Sequence, residues 1–136
     1  MSRENVDLAY RYGAALNARE IPEELLASDF VMVNATTAVT DKTYHGAAGV
    51  LGWKKDLFEA FDAGALLEIK RIVADDDDFV VATVRVSGTG AGSGAPLDLR
   101  WAAVFWCRTG RLARVVGYLT RAEALRAVGL DEAAYL

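Results

Sequence analysis

Tyr12 is the side chain in this sequence best suited to chemistry. It lies in the middle of an apolar stripe on a predicted first helix, where its ring must be covered and its hydroxyl needs a hydrogen-bond partner. A phenol directed into a cavity can act as an acid or stabilise an oxyanion. The alternative is a core tyrosine bonded to a backbone carbonyl or to Asn34. The sequence leaves both interpretations open.

The sequence contains one histidine, His45, and one cysteine, Cys107. A zinc site with the usual nitrogen and sulfur ligands therefore cannot be assembled within one chain, and no metal site is expected. A catalytic triad built on His45 would need a serine and an acid from elsewhere in the fold, and no Gly-x-Ser-x-Gly turn is present. A histidine directly before a helix-opening glycine is more often a loop residue, but His45 is kept as a catalytic candidate.

Two polar segments resemble cofactor or cation motifs without matching them. The glycines between Gly88 and Gly94 alternate strictly, so they fit neither the dinucleotide nor the Walker spacing, and they lead into a strand instead of a helix. Asp75 to Asp78 are four consecutive acids, which cannot all converge on one calcium ion. We interpret the first segment as a hairpin loop and the second as a solvated turn, and we expect no cofactor.

A predicted hairpin near the end of the sequence has one uncharged face. Its strands are Leu97 to Cys107 and Leu112 to Leu119, joined by a predicted three-residue loop with Gly110 left-handed. Alternation places Asp98, Arg100, Trp106, Arg114 and Tyr118 on the other face. The uncharged face is rich in small residues and is expected to face a core with spare room. Its members are Trp101, Ala103, Phe105, Cys107, Ala113, Val115, Gly117 and Leu119.

The remaining elements predict a single α+β domain spanning residues 1–136, with amphipathic helices on one face of a curved antiparallel sheet. The first helix buries Leu8, Ala9, Tyr12 and Leu16, and the helix after Gly46 buries Val50, Trp53, Leu57 and Phe61. Thr120 and Glu123 form a capping-box pattern before the last helix. The predicted helices span Arg3 to Arg19, Glu23 to Ala27 and Ala122 to Val128, and the predicted strands span Phe30 to Ala35, Leu66 to Ala74 and Phe79 to Ser87.

Composition excludes several classes of function. The net charge of -4 argues against nucleic-acid binding, and no segment approaches the roughly 20 apolar residues of a membrane span. The first residues are too polar and acidic for a secretory signal, and the single cysteine suits a reducing compartment. We therefore expect a cytoplasmic protein with neither nucleic-acid nor membrane partners.

Two segments carry a family resemblance. Arg11-Tyr12-Gly13-Ala14-Ala15-Leu16-Asn17-Ala18 resembles the first helix of bacterial ketosteroid isomerases. The run from Asp98 to Phe105, continuing through Gly110-Arg111-Leu112 to Gly117-Tyr118-Leu119, resembles SnoaL-like proteins. Both groups belong to the nuclear transport factor two-like superfamily. The resemblance implies a cone-shaped, cystatin-like α+β barrel, in which the sheet wraps the helices around an apolar pocket and its outer face often forms a homodimer.

The resemblance also assigns roles, most of which this sequence cannot fill. Tyr12 matches the oxyanion-hole tyrosine of the isomerases, but Asn34 stands where their aspartate base would be, and an amide cannot take up a proton at neutral pH. Ala103 matches a second oxyanion donor of the isomerases and a histidine of the polyketide cyclases. Gly117 matches an aspartate of the cyclases and an acid of limonene epoxide hydrolase. Every acid or base position of these relatives is therefore empty here.

Three functions follow as hypotheses. In the first, the domain binds a small apolar ring compound, with walls from Met32, Trp53, Trp101 and Phe105, volume from Ala103 and Gly117, and a polar end from Tyr12 and Asn34. In the second, it is an isomerase, cyclase or hydrolase in which Tyr12 polarises a carbonyl. In the third, it is a non-catalytic dimeric scaffold. A homodimer would use an exposed outer patch, predicted to comprise Val104, Trp106, Val116 and Tyr118.

Overall fold

The computed structural model describes residues 2–18, 20, 22–34, 43–59, 61 and 64–131. The fold is α+β, with three α-helices, one short 3-10 helix and a single six-stranded sheet among these residues. Among them, no helix is both long and apolar enough to cross a membrane. The elements are α1 (Ser2–Asn17), the 3-10 helix (Glu23–Leu25), β1 (Leu26–Asn34), β2 (Thr43–His45), α2 (Gly46–Phe58), β3 (Leu66–Asp75), β4 (Phe79–Thr89), β5 (Pro96–Arg108), β6 (Arg111–Tyr118) and α3 (Arg121–Ala127).

The sheet has the strand order β2-β1-β6-β5-β4-β3. Strands β3 to β6 form an antiparallel meander, whereas β1 pairs with β6 in the parallel direction. The expectation of an antiparallel sheet is therefore wrong at this one pairing. A parallel pair needs a long crossover, and the chain supplies one by forming α2 and four strands between β1 and β6.

Helix α1 covers the inner face of the sheet, mainly over β3. The predicted stripe is confirmed, because Leu8, Tyr12 and Leu16 are buried on it. Two asparagines, Asn5 and Asn17, attach the helix ends to the sheet. Asn5 donates to the carbonyls of Asp76 and Asp77 in the turn after β3, at 3.1 and 2.8 Å, and so holds the acidic turn against the helix.

Helix α2 follows a strand that the sequence analysis missed. β2 is only three residues long and pairs with β1, and its last residue, His45, is also the N-cap residue of α2. The Tyr44 hydroxyl donates to Asp56 at 2.9 Å and links β2 to the exposed side of the helix. Val50 and Trp53 are buried on the opposite side, as predicted, whereas Phe61 is buried beyond the end of the helix.

The β5–β6 hairpin confirms most of the predicted facing pattern and corrects its turn end. The loop contains two residues, Thr109 and Gly110, and both have positive φ, as a type I′ turn requires. A bulge then shifts the register between Trp106 and Cys107, so that Cys107 pairs with Leu112. As a result, Leu112 is fully buried in the main core, where Ala113 was expected.

The outer face of the sheet is partly covered by α3, which corrects the predicted exposed patch. Val104 and Val116 are buried there against Ala124 and Leu125. The N-cap prediction is confirmed, because the Thr120 hydroxyl accepts from the Glu123 amide at 3.2 Å. Trp106 and Tyr118 remain half-buried at the margin of this second cluster. Leu119 was expected on the core face but is 59% exposed, because β6 ends before it.

Candidate functional site

A small cavity lies between α1, α2 and the inner face of the sheet. Its volume is about 20 Å³, and its surroundings are almost wholly apolar. A space of this size holds about one water molecule, so the interior is nearly filled by side chains. The lining residues are Tyr12, Leu16, Met32, Trp53, Leu67, Ile69, Val84, Trp101, Ala103, Phe105 and Val115.

Most of the predicted site residues line this cavity. Helix α1 contributes Tyr12, β1 contributes Met32 and α2 contributes Trp53, which is 6% exposed. Strand β5 contributes three residues, Trp101, Ala103 and Phe105, because alternate positions of a strand face the same side. The inward phase predicted for β5 is therefore confirmed.

Three other predicted residues differ in position. Gly117 is buried and pairs with Ala103, but it is not among the lining residues. His45 is exposed at the end of β2, away from the lining of the cavity. The backbone of Asn34 pairs with Gly117 at the end of β1. The Asn34 side chain is not among the described parts of the structure, so its predicted role stays a prediction.

The Tyr12 hydroxyl has an unusual hydrogen-bond partner. It is 3.5 Å from the Met32 sulfur, to which it donates. The tyrosine ring is 2% exposed and lies between two phenylalanines, with its centroid 6.4 Å from that of Phe30 and 6.0 Å from that of Phe105. A thioether is a weak acceptor, so this buried hydroxyl is satisfied only weakly.

Burial fixes the protonation state of Tyr12. Removal from water raises the pKa of its hydroxyl far above the ordinary value of a tyrosine, because the phenolate would be desolvated. The hydroxyl therefore stays protonated across the physiological range and acts as a donor, not as a base. None of the residues that line the cavity carries a carboxylate or an imidazole. What this lining offers is one hydrogen bond to an acceptor atom inside an apolar enclosure.

Sequence reasoning missed part of the lining. Leu67 and Ile69 of β3 and Leu16 of α1 also line the cavity. The signal was available for β3, since Leu67 and Ile69 alternate with charged or exposed neighbours, but the sequence does not show that α1 packs on this strand. Leu16 was predicted as buried without being assigned to a site.

Cys107 and Arg85 carry groups that often take part in chemistry, but here one is a half-buried thiol and the other forms an ion pair. The Cys107 thiol is half-buried, and burial raises its pKa to about 11, which suppresses the nucleophilic thiolate. Arg85 lies on the outer face, where its Nε and Nη2 atoms both donate to the Asp98 carboxylate at 3.0 Å. This ion pair forms within one chain.

Comparisons with known proteins agree with this fold. The SnoaL-like domain family matches residues 9–115. A candidate SnoaL-like polyketide cyclase from Jannaschia is 16% identical, with a TM-score of 0.70 over 86% of this chain and 85% of that protein. A protein from Catenulispora acidiphila with a ketosteroid isomerase-like fold, in complex with trimethylamine, is 20% identical, with a TM-score of 0.67 over 92% and 94%.

TerC, co-crystallised with polyporic acid, is 16% identical, with a TM-score of 0.71 over 85% of this chain and 91% of TerC. No curated protein sequence is similar enough to be recognised as a relative. The curved, unclosed six-stranded sheet with its helices is thus the nuclear transport factor two-like fold of these structures. At these identities the likeness concerns the fold and not the chemistry.

Proposed function

The chain belongs to the SnoaL-like domain family, and we propose that it binds a small apolar ring compound between α1 and the sheet. One observation carries the proposal. A buried phenol, Tyr12, donates its hydrogen bond to a thioether inside an aromatic enclosure. A ligand with a carbonyl or hydroxyl oxygen would give this donor a much better acceptor than the Met32 sulfur.

The walls suit a ring-shaped ligand. Trp53, Trp101 and Phe105 present large apolar surfaces, and Ala103 leaves space between them. Apolar walls with one fixed polar group are the usual composition of a small-molecule pocket, in which the polar group sets the ligand's orientation. Tyr12 would be that group, and its raised pKa keeps the proton needed for donation.

Binding requires the cavity to widen, because about 20 Å³ does not admit a ring. The lining includes flexible side chains that can move, foremost Met32, together with Leu16 and Ile69. The apparent affinity is then reduced by the fraction of molecules in which the cavity is open. A ligand that replaces the weak bond from Tyr12 to Met32 recovers part of this cost.

Catalysis is the second candidate, favoured by the same donor. Tyr12 would polarise a substrate carbonyl in an isomerase, cyclase or hydrolase reaction, and a group outside the cavity lining would have to move the proton. The small volume of the cavity favours a third candidate, a non-catalytic scaffold whose interior is filled by its own side chains. The proposal includes a cytoplasmic location and a homodimer formed through the part of the outer sheet face that α3 leaves uncovered.

The test uses two ring compounds of the same shape, α-tetralone with a carbonyl and tetralin without one. We expect α-tetralone to raise the thermal midpoint in a concentration-dependent way, and tetralin to do so more weakly. Tyr12→Phe should weaken α-tetralone binding about tenfold and leave tetralin binding unchanged. Tyr10→Phe is the matched control, since Tyr10 is on the same helix but 45% exposed.

The outcomes separate the three candidates. If neither compound shifts the midpoint of the wild-type protein, the interior is a filled core and the scaffold hypothesis is favoured. If both bind equally well to wild type and to Tyr12→Phe, the cavity binds ligand but Tyr12 does not orient it. Turnover of a substrate that drops by about tenfold or more in Tyr12→Phe would establish the catalytic hypothesis.

A further inference from the structure

Two walls of the cavity beside Tyr12 approach the surface of the protein. Among the described residues that line it, all are buried except Ile69 on β3 and Trp101 on β5, which are partly exposed. Both lie in one row across the sheet, because Ile69 pairs with Val84 and Val84 pairs with Trp101. A ligand from solvent therefore reaches the cavity most directly beside one of these two side chains.

Helix α1 is attached to the sheet on both sides of Ile69. Asn5, near the start of the helix, donates to two carbonyls in the turn after β3. Asn17, at its end, forms two hydrogen bonds with the main chain of Leu67, close to the start of β3. A helix held at both ends resists displacement as a whole. Ligand entry beneath α1 is therefore expected to depend on the movement of a side chain between the two attachments.

Helix α1 has no side chain where it meets Ile69. Gly13 is buried at this contact, and a Cβ added to it would lie 2.9 Å from Cγ1 and 3.4 Å from Cδ1 of Ile69. The isoleucine thus packs directly against the backbone of the helix. An alanine at position 13 would hold or displace it, whereas glycine leaves its side chain free to change rotamer beside the helix.

The strand that carries Ile69 can adjust with it. Within the described sheet β3 is an edge strand, paired with β4 alone, and Lys70 is the extra residue of a bulge directly after Ile69. An edge strand with a bulge has fewer interstrand hydrogen bonds to hold it than a regular central strand. The indole of Trp101, in contrast, is a large rigid group, and about 20 Å³ of free volume is too little for it to turn. Of the two partly exposed walls, Ile69 is therefore the more mobile.

We propose that Ile69 is the gate of the cavity and limits the size of its ligand. The ring compound passes between α1 and β3 while the Ile69 side chain is turned away, and the side chain then closes behind it. This inference rests on the proposed function, because it concerns the entry of the same compounds into the same cavity. A shorter side chain at position 69 should admit ligand faster and should admit larger rings.

The rates of α-tetralone binding test the gate. Trp53 and Trp101 line the cavity, so stopped-flow tryptophan fluorescence can follow binding. A ligand that waits for a rarely open state binds slowly, in proportion to the open fraction. Ile69→Ala should therefore raise both the association rate and the dissociation rate by about fivefold or more, and Ile69→Val by less. A residue that only contacts the ligand would change mainly the dissociation rate.

Two further variants sharpen the test. Gly13→Ala should lower both rates, and Ile69→Ala combined with it should cancel this effect, because the added Cβ then meets no long side chain. Ile72→Ala is the matched control, since Ile72 packs partly buried on the same core from the same strand but does not line the cavity. It removes the same atoms and should change both rates by less than about twofold.

Two other probes measure access to the cavity directly. Fluorenone, a rigid three-ring ketone, should bind to Ile69→Ala about tenfold or more tightly than to wild type. Xenon has no polar atom and makes no use of the Tyr12 hydroxyl. It should enter Ile69→Ala but not the wild-type cavity of about 20 Å³, and the carbon-13 shift of the Met32 methyl group reports its entry.

The results distinguish the gate from the proposed function. If α-tetralone binds wild type but the Ile69 variants keep the wild-type rates, the gate is wrong and the proposed function stands. If Ile72→Ala accelerates binding as much as Ile69→Ala, or Trp101→Phe accelerates it more, the entrance does not lie at Ile69. If α-tetralone binds no variant while xenon reaches Met32 in Ile69→Ala alone, the gate stands and the proposed function fails. If neither probe enters any variant, both proposals are overturned.

Discussion

The side-chain amide of Asn17 forms two hydrogen bonds with the main chain of Leu67 and so joins the end of α1 to the start of β3. Its Nδ2 donates to the Leu67 carbonyl, and its Oδ1 accepts from the Leu67 amide at 2.6 Å. The amide thus takes the place that a neighbouring strand would occupy beside β3. It holds α1 over the sheet close to the cavity, which both Leu16 and Leu67 line.

Asn17→Ala should therefore destabilise the fold by about 1–3 kcal/mol, because it leaves both polar groups of Leu67 without this partner. Urea unfolding should show a lower midpoint with an unchanged slope. Arg11→Ala, on the exposed side of the same helix, should stay within about 0.5 kcal/mol of wild type. An equal effect of the two substitutions would contradict the structural role given to Asn17.

Two glycines of α2 should respond in opposite directions to alanine. A Cβ added at Gly49 would lie 2.7 Å from the carbonyl carbon of Tyr44, which belongs to the backbone and cannot move aside, so we expect Gly49→Ala to destabilise by about 1–3 kcal/mol. At Gly52 the nearest atom is 3.8 Å away, and Gly52→Ala should stabilise the helix by about 0.5–1 kcal/mol. Thermal unfolding of both variants checks the pair, and a stabilised Gly49→Ala would mean that β2 does not pack this closely on α2.

The sequence predicted those parts of the fold in which burial follows a strong period. The stripe on α1 and the inward phase of β5 were predicted correctly, because their charged residues all fall on the opposite side. The start of β6 was predicted wrongly, since Leu112 and Ala113 are both apolar and alternation cannot reveal that Ala113 is the extra residue of a bulge. The docking of α3 over Val104 depends on long-range packing that its own pattern does not specify.

The sequence predicted most of the residues that line the candidate site, but it did not predict the volume of the cavity. Strand phase brought Trp101, Ala103 and Phe105 to one side, and the helix stripe placed Tyr12 above them. How much space remains depends on the rotamers with which Met32 and the rings fill the gap, and these are set by close packing in three dimensions. The same packing places the Met32 sulfur beside the Tyr12 hydroxyl. From the sequence, the expected partner was a backbone carbonyl or Asn34.

The Asp98 carboxylate should make the stability of the fold depend on pH in the acid range. Hydrogen bonds from Arg85, and next from Arg100, lower its pKa from 3.8 to about 2. The pKa of Asp98 is lower in the folded than in the unfolded protein. Its contribution to stability is therefore present above about pH 4 and is lost as the pH falls towards 2. Asp98→Asn should therefore be less stable than wild type near neutral pH, with the difference closing in that acid window when unfolding is measured at several pH values.

The two arginines should contribute unequally to this pKa. Arg85→Gln should raise the pKa of Asp98 more than Arg100→Gln does, because the hydrogen bond from Arg85 is the larger cause. Carbon-13 NMR of the Asp98 carboxyl group during an acid titration measures both shifts directly. Equal shifts, or a larger one in Arg100→Gln, would show that the shared ion pair is centred on Arg100 instead.

The thiol of Cys107 should react slowly while the protein is folded. Burial raises its pKa to about 11, so only a minute fraction is thiolate near neutral pH. Labelling with a disulfide reagent should be slow at neutral pH, should accelerate as the pH rises towards 11, and should become fast in denaturant, where the thiol regains its ordinary pKa. Because Cys107 is the only cysteine in the sequence, the absorbance change reports on this thiol alone. Equal rates in the folded and unfolded protein would show that the end of β5 opens readily to solvent.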